Sequence, residues 1–142
     1  MAMIDIHIKS IPIAEMRIPG SYGDYWHEGP RLEIRVAECD NVDYETLISI
    51  HEIVEEWLTK RRGLTEEEIQ AFDEMWDKEH HPDDQEPGFD PRAPYLREHT
   101  VADALERLLC AFANIKLHDY EETLAHLETP PMEAAGTPVP GL

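Results

Sequence analysis

"NVDYETLISIHEIVEEWLTKRRG", residues 41–63, is where the chain changes its period. Before it, apolar residues alternate with polar ones; from it onward they return every three or four positions, the spacing of one face of an α-helix. Asp43 reads as an N-cap and Gly63 stands where helices commonly stop, so the stretch predicts a helix from about Asp43 to Arg62. On a wheel of about 100° per residue, Leu47, Ile50, Val54, Trp57 and Leu58 share one arc. His51 falls inside that arc, and Glu55 lies at its edge. A carboxylate beside a core has to be paired, protonated or bound to a cation, because an isolated buried charge costs on the order of several kcal/mol or more. Side chains at i and i+4 project the same way from a helix. That geometry suits two ligands of one metal ion.

Working upstream, "IDIHIKSIPI" alternates Ile4, Ile6 and Ile8 with Asp5, His7 and Lys9, the period of a half-buried strand that Pro12 ends. "RIPGSYGDYW" holds Pro19, Gly20 and Gly23 and reads as turn or irregular edge, while "RLEIRVAE" alternates Leu32, Ile34 and Val36 against Glu33 and Arg35. A small antiparallel sheet of two or three strands is expected. Downstream, "TEEE" is a capping box between Thr65 and Glu68 that opens a helix reaching about His80. "HPDDQEPGFDPRAP" then sets four prolines and a glycine in a loop too long to be a mere connection. A third helix from about Tyr95 to Phe112 carries Val101, Leu105, Leu108 and Phe112 as its apolar face, and "DYEETLAHL" makes a short fourth. "TPPMEAAGTPVPGL" has the composition of a disordered tail. The expectation is one α+β domain over residues 1–128, with a small N-terminal sheet packed on three to four helices, and a tail over 129–142.

Composition narrows the function classes. With 31 acidic against 12 basic residues the formal charge is −19, which repels phosphate backbones and anionic membranes. Direct nucleic-acid binding and membrane association are therefore not expected. The acidity fits a solubilising surface and also a polyanionic surface that imitates DNA. Cys39 and Cys110 lack CxxC spacing, so reduced thiols in a cytoplasmic protein are expected. Nothing in the sequence resembles a signal peptide or a run of roughly 20 apolar residues. A soluble, cytoplasmic protein is the expectation.

Further ligands are available for the His51–Glu55 pair. Asp73, Asp77 and His80 follow one line along the second helix, and Asp73 stands beside Phe72 in its packed half. On the third helix His99, Asp103 and Glu106 form a stripe apart from the apolar face. Two helices that each donate a histidine and a carboxylate are the inventory of a carboxylate-bridged dimetal bundle. Imidazole and oxygen ligands without thiolate suit Zn, Mn, Fe or Mg. The expected metal set is His51, Glu55, Asp73 and His99, with Glu106 and His80 as further candidates. Arg92 or Arg97 would steady an anionic substrate or intermediate, and the loop from His81 to Pro94 would act as a lid or specificity element.

Three resemblances bear on function. "HEIVE" resembles the HExxH helix of zinc hydrolases with its second histidine replaced by Glu55, which implies zinc as the metal and Glu52 as the general base. HExxE, then "FD" at Phe72 and Asp73, then "DPRAPYLREH" resembles small uncharacterised proteins encoded by tailed phages and prophages, over roughly residues 45–110. That resemblance implies a shared site at His51, Glu55, Asp73 and His99 and no settled activity. Glu52 with Glu55, and Glu74 with Asp77, resemble the ExxE and ExxD pairs that hold Mg²⁺ in MazG-like nucleotide pyrophosphatases. The strands and histidines depart from that family. The leading expectation is a metal-dependent hydrolase or metal-binding protein acting on a small-molecule or peptide substrate. The alternatives are an acidic, non-enzymatic inhibitor of a host defence protein and a MazG-like pyrophosphatase. A homodimer and a host protein partner are both compatible with the chain.

Overall fold

The computed structural model describes residues 3–82 and 85–128. It contains three strands, β1 (Ile6–Ile11), β2 (Gly23–Glu28) and β3 (Arg31–Ala37), followed by four helices, α1 (Val42–Arg62), α2 (Glu66–Asp77), α3 (Leu96–Phe112) and α4 (Leu117–Glu128). The architecture is α+β, as the change of period predicts. The tail expected over 129–142 lies outside the described residues.

The sheet is mixed rather than wholly antiparallel. Its order is β1-β3-β2. Gly29, in the left-handed region at φ 58°, turns β2 back on β3 as an antiparallel hairpin. β1 pairs with the other edge of β3 and runs parallel to it, Ile8 opposite Ile34. The segment after Pro12, with a short 3-10 turn at Ile13–Glu15, carries the chain across to the far edge before it reverses. Alternation reports which strands are half-buried and says nothing of their order, so this arrangement is not legible in the sequence. Edge position also leaves Ile4, Ile6 and Ile8 exposed, contrary to the half-buried reading of β1.

Leu32, Ile34 and Val36 of β3 face the helices and form the main core with Leu47 and Ile48 of α1, Cys110 of α3, and Tyr120 and Leu124 of α4. A second cluster under α2 joins Phe72 to Ala93 and Tyr95, with Ile69 and Trp76 against it. The N-cap of α1 is Asn41 and not Asp43: its side chain accepts from the amides of Asp43 and Tyr44 at 3.0 and 3.1 Å. Gly63 ends the helix at φ 81°, and the Thr65–Glu68 capping box starts α2. α2 stops at Asp77, short of the expected His80, and His81 beyond it stacks on Trp76 with ring centroids 3.9 Å apart.

The packing of α1 and α3 decides what this fold can do. They lie antiparallel, Arg62 meeting Glu98 at one end (3.0 Å) and His51 meeting Glu106 at the other. The faces they bury coincide only in part with the apolar arcs of the helical wheel. α1 buries His51, Glu52, Glu55, Glu56 and Thr59 besides Leu47 and Ile48, and leaves Trp57 exposed. α3 buries Glu98, His99, Ala102 and Cys110 and exposes Val101, Leu108 and Phe112.

Candidate metal centre

Antiparallel packing brings together two side chains separated by most of the helical body. His51 Nε2 lies 3.2 Å from His99 Nδ1, and each nitrogen contacts the same carboxylate oxygen of Glu55, at 3.1 and 3.0 Å. All three residues are buried, and they form the one His/Cys/Asp/Glu cluster among the described residues whose donor atoms are close enough for a metal ion. An ion with tetrahedral ligands about 2.05 Å away has donors about 3.3 Å apart. The donor separations of 3.0–3.2 Å are close to that edge length.

The nitrogens that face away from the triangle are also held. Glu106 Oε1 is 2.6 Å from His51 Nδ1, and Glu86 Oε2 is 3.2 Å from His99 Nε2. Glu106 approaches off the N–H direction, so this contact is an ion pair before it is a hydrogen bond. Carboxylates behind imidazoles fix which nitrogen carries the proton and make the other a better donor. His99 is pinned further by Gly88, where any Cβ would overlap its ring, and by Phe89, packed edge-on with centroids 4.6 Å apart. The long loop thus reaches the site as a support for His99.

Electrostatics in this chamber are dominated by burial and by opposed charges. Burial disfavours charge on His51, but Glu106 and Glu55 overcome it and raise its pKa to about 11. His99 is likewise raised against burial, to about 9, by Glu55 and Glu86. Glu55 is held below the usual carboxylate range because the two imidazoles outweigh its burial. Glu52, next to it, moves the other way: burial and the charge of Glu55 push its carboxyl up. Its tip sits against Gly23 of β2, where a Cβ would collide with the carboxylate.

The remaining predicted residues lie elsewhere. Asp73 does not join the triangle; its Oδ1 accepts the Tyr95 hydroxyl, and burial raises its pKa to about 6. Glu106 contributes, as the group behind His51 rather than as a member of the cluster. His80 and Arg97 are exposed and stand outside it. Arg92 is occupied by Asp90 and Glu79, at 2.9 and 3.2 Å. Of the two acidic pairs, Glu52 and Glu55 are buried on α1, whereas Glu74 and Asp77 face solvent on α2. The role of Glu86 was not anticipated, because a lone acid in an aperiodic loop carries no pattern. No family model, curated protein or solved structure matches this chain. Among the described residues, no helix is long and apolar enough to cross a membrane.

Proposed function

We propose that the protein is a metal-dependent hydrolase whose single divalent ion, zinc by preference, is held by His51 Nε2, His99 Nδ1 and Glu55. The observation that carries this reading is the buried triangle of donors with mutual distances of 3.0–3.2 Å, each imidazole backed by a carboxylate. Two histidines and one carboxylate suit zinc better than magnesium, which prefers oxygen. Three protein ligands also leave one tetrahedral position open, the mark of a catalytic rather than a structural site. When bound, the ion supplies Lewis acidity and makes water more acidic. The HExxE spacing assigns Glu52, buried one residue from His51 with its tip against Gly23, the proton-transfer role of the hydrolytic step. Glu106 and Glu86 orient the imidazoles.

Elemental analysis of protein purified without a histidine tag tests the reading, with one equivalent of metal per chain expected. His51→Ala and His99→Ala should each abolish binding. Glu52→Gln should keep the metal and lose hydrolysis across a panel of reporter peptides and esters. Absence of metal, together with no thermal shift on adding Zn, Mn or Fe, would falsify it.

A further inference from the structure

α1 and α3 form one layer over the sheet, and the two sides of that layer are chemically inverted. The inner side carries the carboxylates and imidazoles of the candidate metal centre, and the outer side carries Trp57 of α1 and Val101, Leu108 and Phe112 of α3, with Ile50 and Val54 half-buried between. The Arg62–Glu98 and His51–Glu106 contacts set the two helices antiparallel, so Trp57 and Val101 lie toward one end of this side and Leu108 and Phe112 toward the other. Trp57 is 57% exposed, Val101 51%, Leu108 65% and Phe112 92%. Side chains of this size, aromatics offering about 150–250 Å² each, amount to roughly 500 Å² of exposed apolar surface on this side. A face of that order stands at the upper end of what a monomer exposes and is often an interaction surface.

The charges at the two ends of the stripe say which partner fits. Asp43 and Arg61 occupy the outer face of α1 at its opposite ends, about 27 Å apart along the axis, and Arg97 lies beside Arg61 at the start of α3. Among the described residues, none of these three side chains forms an ion pair. The stripe therefore runs from a basic end to an acidic one. A face of this kind is complementary to itself when turned end over end, so that Asp43 of one copy meets Arg61 and Arg97 of the other twice about a two-fold axis. The apolar area agrees as well. An interface of standard size covers about 800 Å² per partner, roughly 60% of it apolar, which is close to the area exposed here.

We infer that this face is the interface of a homodimer, formed by a second copy of the chain laying its α1 and α3 antiparallel across the first, so that two two-helix layers stack face to face. The metal centres stay on the inner sides, one per chain, and neither borrows a residue from the other copy. Sedimentation velocity over a concentration series is expected to show a closed species of twice 16.4 kDa. Leu108→Glu with Phe112→Glu should leave a monomer with unchanged far-ultraviolet dichroism. Asp43→Arg should weaken association about tenfold, and Asp43→Arg combined with Arg61→Asp should restore it. That recovery is something a merely destabilised helix would not show. The inference is overturned by a wild-type monomer at every concentration, by an assembly that grows past the dimer, or by a dimer that survives the double glutamate variant. A single charge reversal without effect, or a double reversal that does not recover, overturns the antiparallel arrangement.

Discussion

At the scale of single residues, acids that look alike in the sequence do opposite things according to what faces them. Glu55 is ionised because two imidazoles converge on it, whereas Asp73 accepts the Tyr95 hydroxyl, and burial raises it from 3.8 to about 6. A raised carboxyl pKa means that the folded chain binds the proton more tightly than the unfolded one. The associated stability is fully present below pH 3.8 and is lost as pH rises through about 6. Asp73→Asn keeps an acceptor for Tyr95 without the charge, so it should be more stable than the parent near pH 7.5, by at most about 3 kcal/mol. The difference should vanish toward pH 4. Urea unfolding of both proteins across that range measures it, and a pH-independent difference would show that charge burial is not its source. Metal content should be unchanged, since Asp73 stands outside the triangle; loss of metal in this variant would return Asp73 to the ligand set.

At the scale of elements, the existence and order of the helices follow from period and capping, and so does the pairing of His51 with Glu55. What the sequence conceals is rotation. A helical wheel assigns the apolar arc to the core; α3 breaks that rule by exposing Val101, Leu108 and Phe112, and α1 breaks it in part, keeping Leu47 in the core but exposing Trp57 and burying Glu52, Glu55 and Glu56. The rule assumes that water is the alternative to the core, and it loses force where buried acids find histidine or arginine partners and where an apolar arc has a second surface to meet. His99 was legible as a member of a polar stripe, and its distance from His51 was not, because distance depends on that rotation. The loop's contribution is equally hidden, since Gly88 matters only for what it touches. Gly88→Ala should force either the loop or the His99 ring to move. Disturbing a ligand's support commonly weakens metal binding by about 10–100-fold. Competition titration against a chromophoric chelator should find a loss in that range for Gly88→Ala and for Glu106→Gln. Wild-type affinity in both would mean that the imidazoles need no such support.

At the scale of the whole molecule, the candidate metal centre lies between the two longest helices described, at their polar seam rather than in the apolar core, so an ion bound there would cross-link them. Without an ion, the seam is held by hydrogen bonds from His51 and His99 to Glu55, and it places two imidazoles 3.2 Å apart, both raised toward their charged forms. The surrounding carboxylates outweigh the mutual repulsion of the imidazoles, and a divalent ion has to displace their protons to bind, so its affinity should fall as pH falls. Metal bound only to the folded chain adds about 2.7 kcal/mol at a free concentration a hundred times its dissociation constant. For a chain of this length each kcal/mol moves the melting temperature by roughly 2–4 °C, so the expected rise is about 5–11 °C. Calorimetry of the chelated and zinc-loaded protein should show that rise in wild type and in Asp73→Asn. His51→Ala, which removes a ligand, should melt at one temperature with or without zinc. The rise should also grow with the logarithm of free zinc, the signature of a saturable site. An equal shift in wild type and His51→Ala would instead assign the effect to diffuse binding over a surface carrying a net charge of −19, and the triangle would then be a hydrogen-bonded cluster.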